Sequence, residues 1–166
     1  MDNSLESIRY AQQHYARRNV TYRREDLVEF IPTMPEYNYV ISRGVLEHVP
    51  DGLNLAFKSK WQIRLMFDVP YAEPAGRNPH HVINDIDERT FKGMPGVEFL
   101  YEDIYGNIYD ANNKPEEPNL IMCVVSHPSL QPVSSFLKFP MPVYQSFAEK
   151  LILKWRYFME IIEAKF

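Results

Sequence analysis

Residues 53–69 alternate between apolar and polar side chains almost without interruption. The odd positions are apolar except at Ser59, and most of the even positions are polar, among them Lys58, Lys60 and Arg64. Because successive side chains of a strand point to opposite faces of a sheet, this period of two predicts a strand with one dry and one wet face. Such one-sided burial is typical of antiparallel sheets, since parallel strands are usually covered on both faces.

The residues before this segment predict its partner strand. Residues 37–49 indicate a strand with a kink at Gly44, and Pro50-Asp51-Gly52 indicates a turn, because proline presets its backbone angle and glycine accepts a positive φ. We therefore expect 37–49 and 53–69 to form a hairpin. A straight strand over 53–69 would be about 55 Å long, well beyond ordinary strands, so we also expect a bend near Ser59.

Four further segments extend this pattern. Apolar residues at helical spacing predict a helix over 4–18. Residues 97–101 and 104–109 predict a second hairpin with Gly106-Asn107 at its turn, and the apolar run 120–125 predicts a strand covered on both faces. The proline-rich segment 70–95 is expected to be irregular, and at that length it is either functional or disordered in isolation.

The C-terminal residues predict an amphipathic helix. Its apolar arc is formed by Tyr144, Phe147, Ala148, Leu151, Ile152, Trp155, Phe158, Met159, Ile162 and Phe166. Leu153 and Tyr157 lie nearly opposite that arc, which leaves a second apolar side for a partner. We expect one α+β domain over residues 1–166, with an N-terminal helix, an antiparallel sheet of four to six strands, and this C-terminal helix packed across the sheet.

Composition limits the classes of protein that this chain can represent. The hydrophobic share of 45% supports a folded core, and the net charge of −4 argues against a general polyanion binder. Cys123 is the only cysteine, which excludes an intramolecular disulfide and permits a reducing compartment. The chain has neither an apolar run long enough to span a bilayer nor an apolar signal-peptide core, so we expect an intracellular, cytoplasmic protein with no membrane partner, or a subunit within an assembled particle.

Charge is unevenly distributed along the chain. Residues 1–24 carry five arginines, Arg17 and Arg18 among them, against two acids, for a net charge of +3. Residues 85–117 carry nine acids against three bases, for a net charge of −6. Opposite charges on two parts of one chain favour contact within the fold or between copies, so we expect Arg17 and Arg18 to contribute to partner binding.

Lys58, Lys60 and Arg64 lie on the predicted wet face of the long strand. Such a row can follow a phosphate backbone while aromatic side chains stack on bases, which makes nucleic-acid binding one hypothesis. The alternative is a solvated strand face on which lysines discourage edge-to-edge aggregation. The negative net charge and the absence of an aromatic nucleic-acid motif favour that alternative.

The candidates for metal or catalytic chemistry are weaker. His80 and His81 lie near Asp85, Asp87 and Glu88, which is a donor set suited to zinc, manganese or iron, although the spacing matches no established metal motif. A polar loop is the alternative interpretation. A metal-dependent hydrolase using His80, His81 and Asp85 is therefore a minor hypothesis, and we predict neither a resident metal nor a cofactor.

Two other constellations also have simple structural interpretations. Cys123 and His127 could form a thiolate–imidazole pair, but Cys123 lies inside an apolar strand, which favours an inert buried thiol. Residues 103–110 lack the alternating oxygen ligands and the closing glutamate of a calcium loop, so they predict a turn.

The chain has one resemblance, which depends on the residues from the end of the long strand onward. They are Phe67-Asp68-Val69-Pro70-Tyr71-Ala72-Glu73-Pro74. With the helix and meander before them, they resemble in element order the ubiquitin-conjugating-like and RWD folds, which carry a Tyr-Pro-x-x-Pro element after a similar strand. Here the order of tyrosine and proline is reversed, and Cys123 does not fall at the catalytic position of those families. The resemblance therefore implies no activity and no site residue.

These observations predict a non-enzymatic interaction or assembly protein, such as a structural component of a viral or phage particle. Its partners would be other protein subunits in a homo- or hetero-oligomer, contacted through Leu153, Tyr157, Arg17 and Arg18. Nucleic-acid binding and metal-dependent hydrolysis are the two alternatives.

Overall fold

A five-stranded mixed sheet organises the computed structural model, which describes residues 1–137. The helices are α1 (Leu5–His14), α2 (Leu27–Thr33) and α3 (Gly52–Phe57), and the strands are β1 (Tyr37–Arg43), β2 (Trp61–Pro70), β3 (Val97–Glu102), β4 (Ile108–Asp110) and β5 (Leu120–Ser126). The strands lie in the order β1-β2-β5-β3-β4; β1 and β2 are parallel and the other neighbours are antiparallel. The α+β class is confirmed, but the sheet is mixed rather than purely antiparallel.

The helix predicted near the N-terminus is present as α1. The Ser4 side chain accepts a hydrogen bond from the N–H of Ser7 and so caps the first turn, while the helix ends at His14, four residues before the predicted end. The predicted C-terminal helix, with Leu153 and Tyr157, lies outside the described residues. No helix within residues 1–137 is long and apolar enough to cross a membrane.

The predicted hairpin between residues 37–49 and 53–69 is wrong. The strands β1 and β2 run parallel, with Val40 opposite Leu65, and a parallel pair requires a crossover connection rather than a tight turn. The 3₁₀ turn Leu46–His48 and α3 form that crossover. This parallel pair also departs from the antiparallel meander on which the resemblance to the ubiquitin-conjugating-like and RWD folds depended.

The first part of the alternating segment is helical because α3 packs on two sides. Leu53 and Ala56 face the main core, whereas Leu55 packs with Ile31 and Met34 from the α2 region. A short helix covered on both sides places apolar residues at alternate positions, which imitates the period of a strand. The predicted break near Ser59 marks the change from helix to strand.

The strand β2 is buried on both faces. Leu65, Phe67 and Val69 lie in the main core, as the alternation predicts. The opposite face, predicted to be wet, is also buried: Met66 packs there with Val133, and Arg64 is only 4% exposed. The prediction failed on this face because β2 lies inside the sheet and residues 133–137 cover part of it.

The second hairpin and the buried strand are both present. The strands β3 and β4 pair antiparallel around a turn in which the Asp103 carboxylate accepts hydrogen bonds from the N–H groups of Tyr105 and Asn107. The strand β5 lies between β2 and β3, where Cys123 is fully buried. Apart from a 3₁₀ turn at Glu88–Phe91, the proline-rich segment 70–95 has no regular element beyond the end of β2, and it is fixed to the core by the buried side chains of Ile86 and Phe91.

An ion network joins three strands on the face of the sheet opposite the main core. Arg43 on β1 lies 3.3 Å from the Asp68 carboxylate on β2 and 3.0 Å from the Glu102 carboxylate on β3. Asp68 also accepts a hydrogen bond from the N–H of Gly44. Burial raises the pKa of Asp68 to about 6, although Arg43 and the Gly44 hydrogen bond both act to lower it.

Candidate metal centre

The turn that follows β1 carries two potential metal ligands. Gly44 leaves the strand with a positive φ of 61°, and the chain then forms the 3₁₀ turn Leu46–His48. The Leu46 side chain is buried in the main core and fixes the turn against the sheet. Glu47 is consequently buried, whereas His48 lies at the surface.

The irregular segment brings a third potential ligand, His81, against this turn. The N–H groups of Val82 and Ile83 both donate to the carbonyl oxygen of Glu47, at 2.8 and 3.2 Å. The edge of the His48 ring meets the His81 ring with 4.7 Å between the ring centroids. Two parts of the chain that are far apart in sequence therefore meet at this point.

Glu47, His48 and His81 form a compact donor set. One carboxylate oxygen and one nitrogen from each imidazole all lie within 4.8 Å of one another. The separation between Glu47 Oε1 and His48 Nε2 is 4.0 Å. Two imidazoles and a carboxylate are ligands that suit zinc, manganese and iron.

The hydrogen bonds of the two imidazoles fix their tautomers. His48 Nδ1 lies 2.9 Å from the carbonyl oxygen of His80, which can only accept, so Nδ1 carries the proton. His81 Nδ1 is hydrogen-bonded to the Glu73 carboxylate, and its Nε2 accepts from the Asn78 amide at 2.9 Å. Both rings thus keep an Nε2 electron pair, and metal-ligating histidines are oriented by the same kind of Nδ1–H···O bond.

Glu47 provides the decisive feature of the cluster. Glu47 is only 4% exposed, and its Oε2 atom has no hydrogen-bond partner among the residues that the structure describes. A buried acceptor left in that state costs about 1–3 kcal/mol, so native proteins rarely keep one without a reason. A cation bound by both oxygens of the Glu47 carboxylate would remove this cost.

Comparisons with protein-family models, curated proteins and solved structures found no match. The functional assignment therefore depends on the residues themselves. The donor set formed by Glu47, His48 and His81 is the one cluster of this kind within residues 1–137.

The metal cluster expected from the sequence is only partly formed. His81 belongs to the donor set, but His80 contributes its backbone carbonyl alone. Asp87 instead caps the 3₁₀ turn Glu88–Phe91 and pairs with Arg89. Asp85 is exposed and outside the donor set, because the segment folds back on itself there, with the N–H of Asp85 donating to the carbonyl oxygen of Glu73.

Glu88 belongs to a separate polar cluster beside the sheet. Its carboxylate accepts hydrogen bonds from Tyr101 Oη at 2.6 Å and from Lys114 Nζ at 2.7 Å. Although partial burial acts to raise it, these two hydrogen bonds lower the pKa of Glu88 to about 2. Glu88 therefore fixes the segment to β3 and does not take part in the metal centre.

The three basic residues predicted for nucleic-acid binding do not share a strand face. Lys58 is the C-terminal cap of α3, and Lys60 is exposed just before β2. The buried guanidinium of Arg64 donates to Ser126 Oγ and to the carbonyl oxygen of Gln131. The continuous row that motivated the hypothesis is absent, and nucleic-acid binding itself stays a prediction.

The predicted partner-binding residues fall into two groups. Arg17 and Arg18 are exposed beyond the end of α1, and Leu153 and Tyr157 lie outside the described residues. Interaction or assembly, including a role in a viral or phage particle, therefore stays a prediction.

Cys123 and His127 do not form a catalytic pair within the described structure. Burial, and secondarily the charge of Asp68, raises the pKa of the Cys123 thiol, which keeps it protonated and inert. His127 is hydrogen-bonded to Ser129 instead.

Sequence reasoning missed Glu47, His48 and Glu73. The available signal is a charged residue inside an apolar segment, since Glu47 and His48 stand between Val45-Leu46 and Val49. A carboxylate in such a segment is buried only when a partner compensates it.

Proposed function

We propose that this protein binds a divalent transition-metal ion through Glu47, His48 and His81, and that zinc fits the site best. The observation that carries the proposal is the buried Glu47 carboxylate, which lies in one donor set with two imidazoles and whose Oε2 has no hydrogen-bond partner among the described residues. Zinc accepts this donor set in four-coordinate geometry. The proposal departs from the sequence prediction of no resident metal.

The donor atoms must approach one another to accept an ion, by up to about 1.5 Å for a pair at the 4.8 Å limit of the set. Zinc–ligand bonds of about 2.0–2.1 Å in a tetrahedron separate the donor atoms by about 3.3 Å. The Oε1–Nε2 pair of Glu47 and His48, now 4.0 Å apart, would close by about 0.7 Å. The ion would also displace the Asn78 amide from His81 Nε2.

A cobalt titration followed by zinc competition tests this proposal. Bound Co²⁺ gives a visible absorption spectrum that reports coordination, and Zn²⁺ should displace it at a ratio near one ion per chain. We expect Glu47→Gln and His81→Ala to weaken zinc binding by at least a hundredfold, because the first replaces a charged carboxylate with a neutral, weaker amide donor and the second removes an imidazole. Circular dichroism establishes that both variants remain folded.

His80→Ala is the matched control for His81→Ala. The two residues are adjacent, but His80 contributes to the site only through its backbone carbonyl, which the substitution keeps. We expect its zinc affinity to stay within about threefold of the wild type. An equal loss in His80→Ala and His81→Ala, or no cobalt binding by the wild type, would refute the proposal.

Metal-dependent hydrolysis is a second candidate function, favoured by the number of protein ligands. Three protein donors leave a fourth position for water, as in catalytic zinc sites, and zinc lowers the pKa of bound water to about 7. The test is zinc-dependent cleavage of an activated ester, with His81→Ala as the inactive variant. If the zinc-loaded protein gave no rate above free zinc, this second candidate would be rejected while metal binding would stand.

A further inference from the structure

The hydrogen bonds that join the tip of the irregular segment to distant parts of the described chain go only to two of the proposed ligands, Glu47 and His48. Most hydrogen bonds of residues 74–83 are formed within the tip or with the flanking residues Glu73 and Asn84. Three others reach the turn Leu46–His48. The N–H groups of Val82 and Ile83 donate to the Glu47 carbonyl, and the His80 carbonyl accepts from His48. Apart from the bonds to its chain neighbours Glu73 and Asn84, no other hydrogen bond fixes this tip within residues 1–137.

The tip otherwise has little to keep it in place. Residues 74–77 are exposed, and the Val82 side chain is more than half exposed. Ile83, at the end of the tip, is half-buried against the main core, and the first fully buried side chain, Ile86, lies beyond the tip. Segments with few buried apolar contacts and exposed backbone hydrogen bonds open at low free-energy cost.

We infer that the metal ion acts as a clasp that closes residues 74–83 over the turn Leu46–His48, so that metal binding and ordering of this tip are linked. The inference rests on the proposed metal site. Glu47 and His48 lie on the turn, while His81 lies on the tip, so coordination by all three joins the two parts. An ion that binds the closed state more tightly than the open state shifts the chain toward closure.

Linkage is reciprocal, which gives the inference a second consequence. If the ion favours the closed tip, then any change that favours the open tip must weaken ion binding by the same factor. Such a change need not replace a ligand side chain. Val82 offers it, because its N–H supports closure while its side chain is exposed.

Hydrogen exchange measured with zinc and with a chelator tests the first consequence. We expect zinc to slow exchange of the amides in residues 74–83 at least tenfold, while amides in β5 serve as the internal control. Trypsin provides a parallel measurement, because Arg77 is an exposed cleavage site within the tip. Zinc should slow cleavage after Arg77 at least fivefold and leave cleavage after Arg17 and Arg18 unchanged.

The pair Val82→Pro and Val82→Ala tests the second consequence. Proline removes the N–H that donates to Glu47, whereas alanine keeps it. We expect Val82→Pro to weaken zinc binding about tenfold and Val82→Ala to change it less than twofold. Circular dichroism checks that both variants are folded.

The possible outcomes separate the two proposals. If zinc binds but leaves exchange and cleavage in the tip unchanged, or if Val82→Pro binds zinc as the wild type does, the clasp is refuted and the metal site stands. If the wild type binds no zinc, both the metal site and the clasp are refuted.

Discussion

Replacement of Asp68 by asparagine isolates the energetic cost of one buried carboxylate. Asp68 is only 3% exposed, accepts a hydrogen bond from the N–H of Gly44, and forms an ion pair with Arg43, which also pairs with Glu102. Asparagine has nearly the same shape and keeps an oxygen for the Gly44 N–H. The substitution therefore removes the ionisation of residue 68 with little change in packing.

The magnitude follows from the pKa of Asp68. Burial raises this pKa from its usual 3.8 to about 6, so the folded state binds a proton more tightly than the unfolded state. The resulting stabilisation is fully present below pH 3.8 and is lost as the pH rises through 6. At about 1.4 kcal/mol for each pKa unit, the change amounts to about 3 kcal/mol.

Urea denaturation of the wild type and Asp68→Asn between pH 4 and pH 8 measures this effect. We expect the free energy of unfolding of the wild type, relative to the variant, to fall by about 2.5 kcal/mol over that range, because the carboxyl of the unfolded chain is already partly ionised at pH 4. A difference that stays constant with pH would refute the raised pKa. A difference that grows in favour of the wild type at high pH would show that the pairing with Arg43 outweighs desolvation.

Three further predictions concern packing and charge elsewhere in the fold. Gly52→Ala should destabilise the protein by more than about 2 kcal/mol in urea denaturation, because the added Cβ would lie 2.3 Å from the carbonyl oxygen of Leu46. Since Leu46 precedes Glu47, the same substitution should weaken zinc binding. Leu65→Ala, at a fully buried position, should cost about 2–5 kcal/mol in the same assay, and a loss below 1 kcal/mol would contradict its place in the core. Glu88→Gln should cost about 1 kcal/mol at pH 7, discounted because the side chain is 33% exposed, and this difference should disappear as the pH falls from 4.5 toward 2.

Elements that depend on local signals were predicted correctly from the sequence. The N-terminal helix begins where Ser4 caps it, and the hairpin of β3 and β4 turns around Gly106 and Asn107 as expected. The apolar run of β5 is buried on both faces. Each of these results depends on residues that are neighbours in the chain.

The candidate site was less accessible to sequence reasoning. His81 was among the candidates, but its partners Glu47 and His48 lie more than thirty positions earlier, on a turn within residues that were predicted to form a strand. A metal site depends on which distant segments meet, and no local pattern contains that information.

The sequence by itself determined where apolar surface lies along the chain, including the strong alternation of residues 53–69. The tertiary structure decided what that alternation means: α3 at its start, packed on two sides, and a central strand at its end, buried on both faces. The physical reason is that a period of two records only that alternate residues are apolar. Whether a strand or a helix between two packed layers satisfies that pattern depends on which segments pack against it, here α2 and the main core on α3 and residues 133–137 on β2.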